Sequence, residues 1–378
     1  MTRLLVVTND FPPRPGGIQT FVHELVRRLD PADVVVYTSR WKGWESFDRE
    51  QPFEVVRENT SMLLPTPAVR RRAQGLVQSR GCDAVLFGAA APLALLGPSL
   101  REAGASRLVA LTHGHEAGWA QLPGPRQVLR RIGEGVDVVT YLGEYTRSRI
   151  ASALSPAAAD RMVLLTPGVD AEVFAPDADG AQVRERYGLG ERPVVVCVSR
   201  LMRRKGQDTL IEAFPALKRR VPEAALLVVG GGPYRSQLEA LARESTWGDD
   251  IIFTGSVPWP ELPAHYVAGN VFAMPCRTRR RGLDVEGLGI VYLEASAAGL
   301  PVLAGDSGGA PDAVLSGETG SVVPAGAGAP AELVQRMVEL LDDAEQRSAM
   351  GKRGRAWVQE EWSWARQVER LKGLVRLR

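Results

Sequence analysis

The chain has 378 residues, of which 45% are hydrophobic and 24% are charged, and its formal net charge is +2. This length predicts two domains of about 180 residues each, because single hydrophobic cores rarely grow so large. The composition excludes a disordered or fibrous protein, and the small net charge does not indicate a general nucleic-acid binder. The three cysteines follow no disulfide or metal-binding pattern, which favours a reducing cytoplasm.

No segment has the pattern of a membrane span or a signal peptide. The most apolar stretch, residues 84–100, is interrupted by glycine and proline residues. The apolar run Leu4–Val7 is too short for a signal-peptide core. We therefore expect a cytoplasmic protein whose contact with a membrane, at the inner face of the plasma membrane, is peripheral.

Two series of short apolar runs alternate with helical patterns, which predicts parallel sheets covered by helices on both faces. A segment rich in turn residues, from Pro167 to Gly180, separates the two series and predicts domains at residues 1–168 and 169–362. The first series comprises Leu4–Val7, Val34–Tyr37, Ala84–Phe87, Leu108–Leu111, Val136–Tyr141 and Met162–Leu165. The second comprises Val194–Val198, Ala225–Val229, Ile251–Phe253, Val271–Met274 and Val302–Ala304.

A final helix is predicted over residues 363–378, where Ser363 can cap the first turn. The sequence does not reveal which surface its apolar face covers. At the junction between the domains, Asp170 either caps a short helix or faces a substrate, and capping is the commoner role. The apolar face of the final helix comprises Trp364, Val368, Leu371 and Leu374.

Glu286 and Glu294 bracket a glycine-containing segment that has the pattern of a loop leading into a helix. If the helix begins near Leu288, the 1.5 Å rise per residue puts the two carboxylates roughly 12 Å apart. Glycosidase acid/base pairs are closer, roughly 5–9.5 Å, so this spacing favours a sugar at one carboxylate and a ribose at the other. Gly287 and Gly289 would let backbone N–H groups approach a diphosphate at the helix N-terminus.

A basic loop follows the predicted strand Val194–Val198 and carries Arg200 and Lys205. Arginine suits a diphosphate through a planar two-pronged contact, and lysine through a point charge. An isolated basic turn is usually solvated surface, but the Glu286–Glu294 segment in the same chain favours a phosphate site. Ligands of open parallel sheets lie beyond the carboxyl ends of the strands, and two facing sheets would bring these edges to one cleft.

Three further loops at strand ends are candidate parts of the site. Gly16 and Gly17 join the first strand to a helix and can bring N–H groups against phosphate, although such a turn is more often only a turn. His113 and His115 lack a third ligand with suitable spacing for a metal, so we expect His113 to contact a sugar instead. Val257 follows another strand and is expected to lie beside a base.

The sequence contains three arginine runs, and for each of them a surface role and a ligand-binding role stay open. Arg70–Arg72 and Arg130–Arg131 are either solvated helix faces or, with Trp41 and Trp44 nearby in sequence, a patch for anionic lipid headgroups. Arg279–Arg281 precedes the Glu286 loop and is either a surface loop or a contact for an acceptor phosphate.

The Glu286–Glu294 segment, Arg200 with Lys205, the Gly16–Gly17 loop and the final helix together resemble the retaining glycosyltransferases of family four over essentially the whole chain. Residues 8–17, 87–94, 112–116 and 274–279 resemble a narrower group, the actinobacterial PimB-type mannosyltransferases. The resemblance implies a GT-B fold. In this α/β fold, two Rossmann-like doubly wound domains face a central cleft, and the C-terminal helix crosses back to the N-terminal domain.

The resemblance also implies roles for the candidate residues. Arg200 and Lys205 would neutralise a diphosphate, Glu294 would hold ribose hydroxyls, and Glu286 with His113 would contact mannose, with Val257 beside guanine. The expected catalytic residues are His113, Glu286, Arg200 and Lys205. The expected donor-binding residues are Gly16, Gly17, Arg200, Lys205, Val257, Gly287, Leu288, Gly289, Ile290 and Glu294.

The activity implied by the resemblance is transfer of mannose from GDP-mannose to phosphatidylinositol monomannoside through an α-1,6 link, in phosphatidylinositol mannoside and lipoglycan biosynthesis. No metal or other cofactor is expected. The expected partners are the nucleotide-sugar donor, the glycolipid acceptor and an anionic membrane surface. The alternatives are a transferase with another donor or acceptor, such as a UDP-sugar, a GT-B sugar-nucleotide epimerase and a non-catalytic binding module. The charged set of Arg200, Lys205, Glu286 and Glu294 argues against the binding module.

Overall fold

The computed structural model describes residues 2–326 and 328–377, and the chain separates into two compact units. Unit 1 comprises Met1–Gly168 and Trp364–Arg378, and unit 2 comprises Val169–Ser363. Each unit is built on one parallel sheet with helices along the chain between its strands. The predicted α/β class with two Rossmann-like domains is therefore confirmed.

The sheet of unit 1 has seven strands, all paired in parallel. Its central strands are apolar because both faces of the sheet are covered, and residues Leu4–Val7 are fully buried. The strands are β1 (Leu4–Thr8), β2 (Val34–Ser39), β3 (Glu54–Glu58), β4 (Ala84–Phe87), β5 (Arg107–Ala110), β6 (Val138–Tyr141) and β7 (Val163–Leu164). Their spatial order is β3-β2-β1-β4-β5-β6-β7, which reverses direction between β1 and β4.

The helices of unit 1 lie between these strands in the chain. Val22 and Leu25 of the first helix are fully buried, as expected for an amphipathic helix whose apolar face meets a core. The helices are α1 (Gly17–Val26), α2 (Trp44–Arg49), α3 (Pro67–Arg80), α4 (Gly97–Glu102), α5 (Glu116–Trp119), α6 (Pro123–Gly135), α7 (Glu144–Ala151) and α8 (Pro156–Ala159).

The C-terminal helix (Trp364–Val375) packs within unit 1, which supplies the surface that the sequence did not reveal. Its predicted apolar face is buried at Val368, Leu371 and Leu374. Arg107 Nε on β5 donates to the Leu374 carbonyl at 2.8 Å. The return of the last helix to the N-terminal unit is therefore confirmed.

The sheet of unit 2 has six strands, again all parallel. They are β8 (Val194–Val198), β9 (Ala225–Val229), β10 (Ile251–Gly255), β11 (Val271–Met274), β12 (Val302–Gly305) and β13 (Gly320–Val323), in the spatial order β10-β9-β8-β11-β12-β13. The helices are α9 (Gly180–Arg186), α10 (Gln207–Arg220), α11 (Arg235–Glu244), α12 (Leu262–Val267), α13 (Ile290–Ala297), α14 (Ala329–Asp342) and α15 (Ala344–Glu361).

The strand order of unit 2 reverses between β8 and β11. In open parallel sheets, ligands bind at such a switch point, beyond the carboxyl ends of the strands. The loop after β8 carries Arg200 and Lys205, and the loop after β11 carries Glu286. The topology therefore predicts that these two loops form the binding site of the unit.

Two strands were missing from the sequence prediction, and both lie at the edge of a sheet. β3 forms one edge in unit 1, and every one of its residues is only partly buried. β13 forms one edge in unit 2 and begins with a glycine. Edge strands are less apolar because only one side is paired, so these two segments do not stand out as apolar runs in the sequence.

Asp170, at the junction of the units, caps a turn. Its Oδ1 accepts hydrogen bonds from the backbone N–H groups of Glu172 at 3.1 Å and Val173 at 3.3 Å. Among the described residues, no helix combines the length and the apolar character needed to cross a bilayer.

Candidate active site

The loop after β8 presents one exposed and one nearly buried cation. Arg200 is exposed, and no salt bridge of its guanidinium occurs among the described residues. Lys205, at the end of a single 3-10 turn, is only 8% exposed. Gln207 Nε2 donates to Ser199 Oγ at 2.8 Å and to the Arg200 carbonyl at 3.2 Å, which holds the two ends of the loop together.

Gly206 ends this loop with a left-handed backbone, φ 78°. A Cβ atom here would lie 2.0 Å from the carbonyl oxygen of Pro275, just after β11. The position therefore requires glycine, both for its backbone angle and for the close approach of the neighbouring loop. This approach brings the loops after β8 and β11 together at the switch point.

Lys205 and Glu286 form an ion pair between the two loops. Lys205 Nζ lies 2.7 Å from Glu286 Oε2, and the Glu286 residue is 6% exposed. Arg204 Nε is 3.8 Å from the same carboxylate oxygen, so Glu286 faces a second cation. Nearly buried charges are tolerated when they are paired in this way. Two of the predicted site residues are thus in direct contact.

The glycine loop after β12, residues 307–309, supports the Glu286 backbone. Gly309 N–H donates to the Glu286 carbonyl at 2.9 Å. Gly308 has φ 59°, and a Cβ there would lie 2.0 Å from the same carbonyl oxygen. The sequence had assigned no function to this loop. The structure assigns it a positioning role, because any larger residue would displace Glu286.

The helix that follows begins two residues later than expected. The sequence suggested a start near Leu288, but α13 spans Ile290–Ala297, with Gly289 at its N-cap in a left-handed conformation (φ 80°). Glu286 therefore lies further from the helix start than expected, and the separation computed from a helical rise over all eight residues does not apply. The first backbone N–H groups of a helix lack intrahelical partners, so this N-terminus with Gly287 before it can bind an anion.

Glu294, inside α13, is oriented by a buried tyrosine. Tyr266 is fully buried and donates its hydroxyl to Glu294 Oε2 at 2.6 Å. Burial raises the pKa of the Glu294 carboxyl to about 6, although the hydrogen bond from Tyr266 opposes the shift. The carboxylate can accept hydrogen bonds from a pair of hydroxyl groups, as a ribose offers.

Val257 lies in the loop after β10 and is partly exposed. The preceding Ser256 approaches Gly231, in the loop after β9, because a Cβ on Gly231 would lie 2.3 Å from Ser256 Oγ. These two loops belong to the same carboxyl edge as Arg200 and Glu286. The role of Val257 beside a base stays a prediction.

His113 lies in unit 1, in the loop after β5. Its Nε2 lies 2.6 Å from the carbonyl oxygen of Gly88, which follows β4. Because a carbonyl only accepts, Nε2 carries the hydrogen and Nδ1 is left as an acceptor. Burial lowers the pKa of the ring, which favours this neutral form. The ring can therefore accept a hydrogen bond from a sugar hydroxyl.

Glu116 fixes the position of His113 and was missed by the sequence analysis. It is fully buried at the start of α5, and its Oε2 accepts the backbone N–H of His113 at 2.9 Å. Its Oε1 lies 3.3 Å from Nε2 of His115. The i,i+3 spacing of His113 and Glu116 is the sequence signal that could have indicated this contact.

Gly16 and Gly17 form the entrance to α1 in unit 1. Gly16 is the N-cap residue and Gly17 the first helical residue, and both are exposed. The loop before them is tied back to the helix, since Gln19 Nε2 donates to Asp10 Oδ1 at 2.7 Å. Exposed N–H groups at this helix start are available to an anion. Their role in donor binding stays a prediction.

Comparison with known proteins identifies the class of the chain. Two family models match it, "Glycosyltransferase Family 4" over residues 15–173 and "Glycosyl transferases group 1" over residues 181–357. Among solved structures, HepE of Anabaena in complex with UDP has a TM-score of 0.81 at 18% identity and covers 99% of this chain and 100% of its own. WaaG, a glycosyltransferase of lipopolysaccharide biosynthesis, has a TM-score of 0.68 at 20% identity and covers 98% and 99% of the two chains. These likenesses show the fold.

Curated relatives match over the full length. The GDP-mannose-dependent alpha-(1-6)-phosphatidylinositol monomannoside mannosyltransferase of Mycolicibacterium smegmatis is 53% identical, with 98% of both chains covered. The protein of the same name from Mycobacterium tuberculosis H37Rv is also 53% identical, over 100% of this chain and 98% of its own. A Corynebacterium glutamicum enzyme described as acting on the monoacylated monomannoside is 45% identical, over 99% and 97%.

The fold and the site thus define a glycosyltransferase with a GT-B architecture. More narrowly, the chain belongs to the family-four glycosyltransferases, in the PimB-type group that its full-length relatives represent.

The Lys205–Glu286 pair predicts an effect on stability that can be measured without substrate. Lys205→Met leaves the Glu286 carboxylate nearly buried, with Arg204 at 3.8 Å as its remaining cation. We expect the free energy of unfolding, measured by urea denaturation, to fall by about 3 kcal/mol, because a buried charge without its partner is costly. Adding Glu286→Gln should recover much of this loss.

The matched control is Lys352→Met, which removes an exposed lysine of the same unit. It should change the free energy of unfolding by less than about 0.5 kcal/mol. Equal stability of Lys205→Met and the wild type would show that the pair contributes nothing to the fold of the loops.

Proposed function

We propose that this chain transfers mannose from GDP-mannose to phosphatidylinositol monomannoside, forming an α-1,6 link with retention of configuration. The names of the full-length relatives at 53% identity support this donor and acceptor. The observation that carries the proposal is the Lys205–Glu286 ion pair at 2.7 Å, in which Lys205 shares its loop with the exposed Arg200 and Glu286 precedes the N-terminus of α13. That arrangement suits a diphosphate next to a sugar.

The donor binds to unit 2 in this proposal. Arg200 and Lys205 hold the diphosphate together with backbone N–H groups at the start of α13, and Glu294 accepts the ribose hydroxyls. The residues that contribute around that helix start are Gly287, Leu288, Gly289 and Ile290. Val257 lies beside the guanine.

In unit 1, His113 and Gly16–Gly17 serve the transferred sugar and the donor phosphates. The neutral ring of His113 accepts a hydrogen bond from a mannose hydroxyl through Nδ1, since Nε2 is engaged with the Gly88 carbonyl. Glu286 accepts a second mannose hydroxyl, and its pairing with Lys205 favours this role over that of a nucleophile.

The reaction breaks the bond between mannose C1 and the oxygen of the diphosphate, whose electron pair stays with the leaving diphosphate. The acceptor hydroxyl forms the new C1–O bond on the same face, and its proton passes to an oxygen of the leaving phosphate. Arg200, Lys205 and the amides of α13 stabilise the developing negative charge, as fixed donors do in other transferases. These groups supply that stabilisation without a metal, which activity in excess EDTA would test.

A peripheral contact with an anionic membrane is part of the proposal. Unit 1 has three large exposed side chains near the carboxyl edge of β2 and β3: Trp41 (39% exposed), Met62 (51%) and Leu64 (49%). The Arg40 N–H donates to the Thr60 carbonyl at 2.9 Å, which holds the two loops together. Exposed apolar side chains clustered in this way mark interaction surfaces.

Cations accompany these apolar side chains. The Arg14 guanidinium lies 5.1 Å from the centroid of the Trp41 ring, and Arg70–Arg72 are exposed on the helix that follows Leu64. A basic side chain near an anionic bilayer contributes about 1 kcal/mol. The mixture of inserted apolar groups and cations suits phosphatidylinositol-containing membranes.

Binding to vesicles tests the membrane contact. Changing all three of Arg70–Arg72 to Gln should weaken sedimentation with phosphatidylinositol-containing vesicles by at least about tenfold. Changing Arg219 and Arg220 of unit 2 to Gln is the control for loss of charge, and it should have a much smaller effect. Equal binding by the triple variant and the wild type would remove these arginines from the contact.

The activity itself is tested with labelled GDP-mannose and phosphatidylinositol monomannoside. We expect transfer to the glycolipid with GDP-mannose and none with UDP-glucose, and no new sugar-nucleotide when the donor is incubated alone. Lys205→Ala should lower kcat by about 10²–10³-fold, since it removes a cation from the leaving group. Lys352→Ala should retain wild-type turnover. Near-normal turnover of Lys205→Ala would contradict the role of Lys205.

The raised pKa of Glu294 predicts the pH dependence of donor binding. Its carboxyl, with a pKa of about 6, takes up a proton as the pH falls from 7 to 5 and then accepts ribose hydroxyls less well. GDP-mannose affinity should therefore fall by up to about tenfold over this range, because about nine-tenths of the group is protonated at pH 5. GDP-mannose is the appropriate probe because its diphosphate does not titrate there.

The variant Glu294→Gln should bind GDP-mannose more weakly at pH 7 and lose most of this pH dependence. Glu244→Gln, which changes an exposed carboxylate of unit 2, should keep the wild-type profile. If the GDP-mannose affinity of Glu294→Gln falls between pH 7 and 5 as much as that of the wild type, the pH dependence belongs to another group, such as His113.

A further inference from the structure

A basic cavity of about 400 Å³ lies in unit 2 beside the loop after β8. Four arginines line it, Arg203, Arg204, Arg279 and Arg280, with a single carboxylate from Asp284. The formal charge of these side chains is therefore +3. Arg200, Lys205, Glu286 and Glu294 do not line the cavity. Arg204 on its wall lies 3.8 Å from Glu286, so the cavity adjoins the expected donor site without including these four residues.

One wall is a tight turn that carries unpaired arginines. Arg279 N–H donates to the Asp284 carbonyl at 2.9 Å and Asp284 N–H to the Arg279 carbonyl at 3.3 Å, which closes the turn. Between them, Arg280 (φ 48°) and Arg281 (φ 54°) adopt left-handed backbone conformations. Both side chains are exposed, and among the described residues neither has an ion-pair partner.

The only acidic side chain on the wall does not balance these charges. Asp284 lies 3.5 Å from Arg279 Nη1 and 3.8 Å from Arg204 Nη1, so two guanidinium groups share one carboxylate. Like charges gathered around a concave surface strengthen the local positive potential and attract anions. The cavity therefore favours an anion over an apolar or cationic ligand.

A second part of the lining, from the loop after β8, holds Arg203 in place before any ligand arrives. Its guanidinium lies 4.7 Å from the centroid of the Tyr234 ring and donates to Gln237 Oε1. Tyr234 is itself fixed, since its hydroxyl donates to Asp208 Oδ2 at 2.9 Å. A guanidinium that is already oriented loses little entropy on binding, and its planar donors match the oxygens of a phosphate.

We propose that this cavity is a second anion-binding site that takes a phosphate group, independently of the nucleotide-sugar donor. Arg203 and Arg280 bind the phosphate oxygens from these two parts of the lining, and Arg204 and Arg279 contribute positive potential. The ligand is a phosphate ester with at least one exposed oxyanion, carried either by a lipid headgroup or by a soluble molecule. This gives the Arg279–Arg281 run a function apart from donor binding.

The test is calorimetric titration of the full-length protein with inorganic pyrophosphate in the presence of saturating GDP, which occupies the donor site. The wild type should bind one pyrophosphate per chain. Arg203→Gln with Arg280→Gln should weaken this binding at least tenfold, and Arg280→Gln alone at least threefold. Arg219→Gln, which removes an exposed arginine of α10, should leave the affinity within twofold of the wild type.

Two results would overturn the proposal: wild-type affinity in the double variant, or no pyrophosphate binding once GDP is present. Arg280 is exposed on a turn, so the single variant serves even if loss of Arg203 disturbs the packing around Tyr234. If GDP does not bind, the Lys205→Ala variant replaces it as the means of disabling the donor site. The outcome is then independent of whether mannose is transferred.

A second arm distinguishes the two sources of phosphate. Vesicles of phosphatidylcholine with phosphatidylinositol are sedimented with the wild type, the double variant and Arg219→Gln. Weaker sedimentation of the double variant alone, with competition by pyrophosphate, assigns the site to a lipid headgroup. Equal sedimentation of all three proteins, together with weaker pyrophosphate binding by the double variant in calorimetry, assigns the site to a soluble phosphate ester.

Discussion

The ion pair between Lys205 and Glu286 is the interaction on which the site of unit 2 depends. It joins the loops after β8 and β11, the two strands that flank the reversal of strand order. Each charge is nearly buried, and each makes the burial of the other tolerable. Because the pair connects the group suited to phosphate with the group suited to sugar, a ligand that engages one also alters the electrostatic environment of the other.

Close backbone packing around this pair explains why its loops are rich in glycine. Gly206 lets the loop after β8 approach Pro275, and Gly308 lets the loop after β12 approach the Glu286 carbonyl. At both positions the positive φ and the 2.0 Å clearance exclude a side chain. The geometry of the charged groups is therefore set by the main chain rather than by flexible side chains alone.

Most of the fold was predictable because buried parallel strands are apolar throughout. The runs that became β1, β4, β8, β9 and β11 stood out for this reason, whereas the edge strands β3 and β13 did not. The start of α13 was misplaced because Gly289 adopts a left-handed conformation, which the residue type permits but does not require. Local sequence does not determine such a choice.

The site was predictable where charged residues lie in the loop that follows a predicted strand, as at Arg200, Lys205 and Glu286. Residues that act through a partner distant in sequence were missed. Tyr266 of α12 donates to Glu294 of α13 across 28 residues, and no local sequence pattern indicates a contact over that distance. The two histidines before Glu116 are the more conspicuous residues in the sequence, whereas the Glu116 carboxylate contacts the backbone of His113.

The position of the C-terminal helix affects how the two units can fold during translation. Unit 1 contains the first residues of the chain and also Trp364–Val375, whereas unit 2 is formed entirely from the segment between them. During translation, unit 1 therefore cannot complete its core until all of unit 2 has been synthesised. Until the last helix emerges, the apolar surface that Leu371 will cover stays open to solvent, although most of unit 1 was made first.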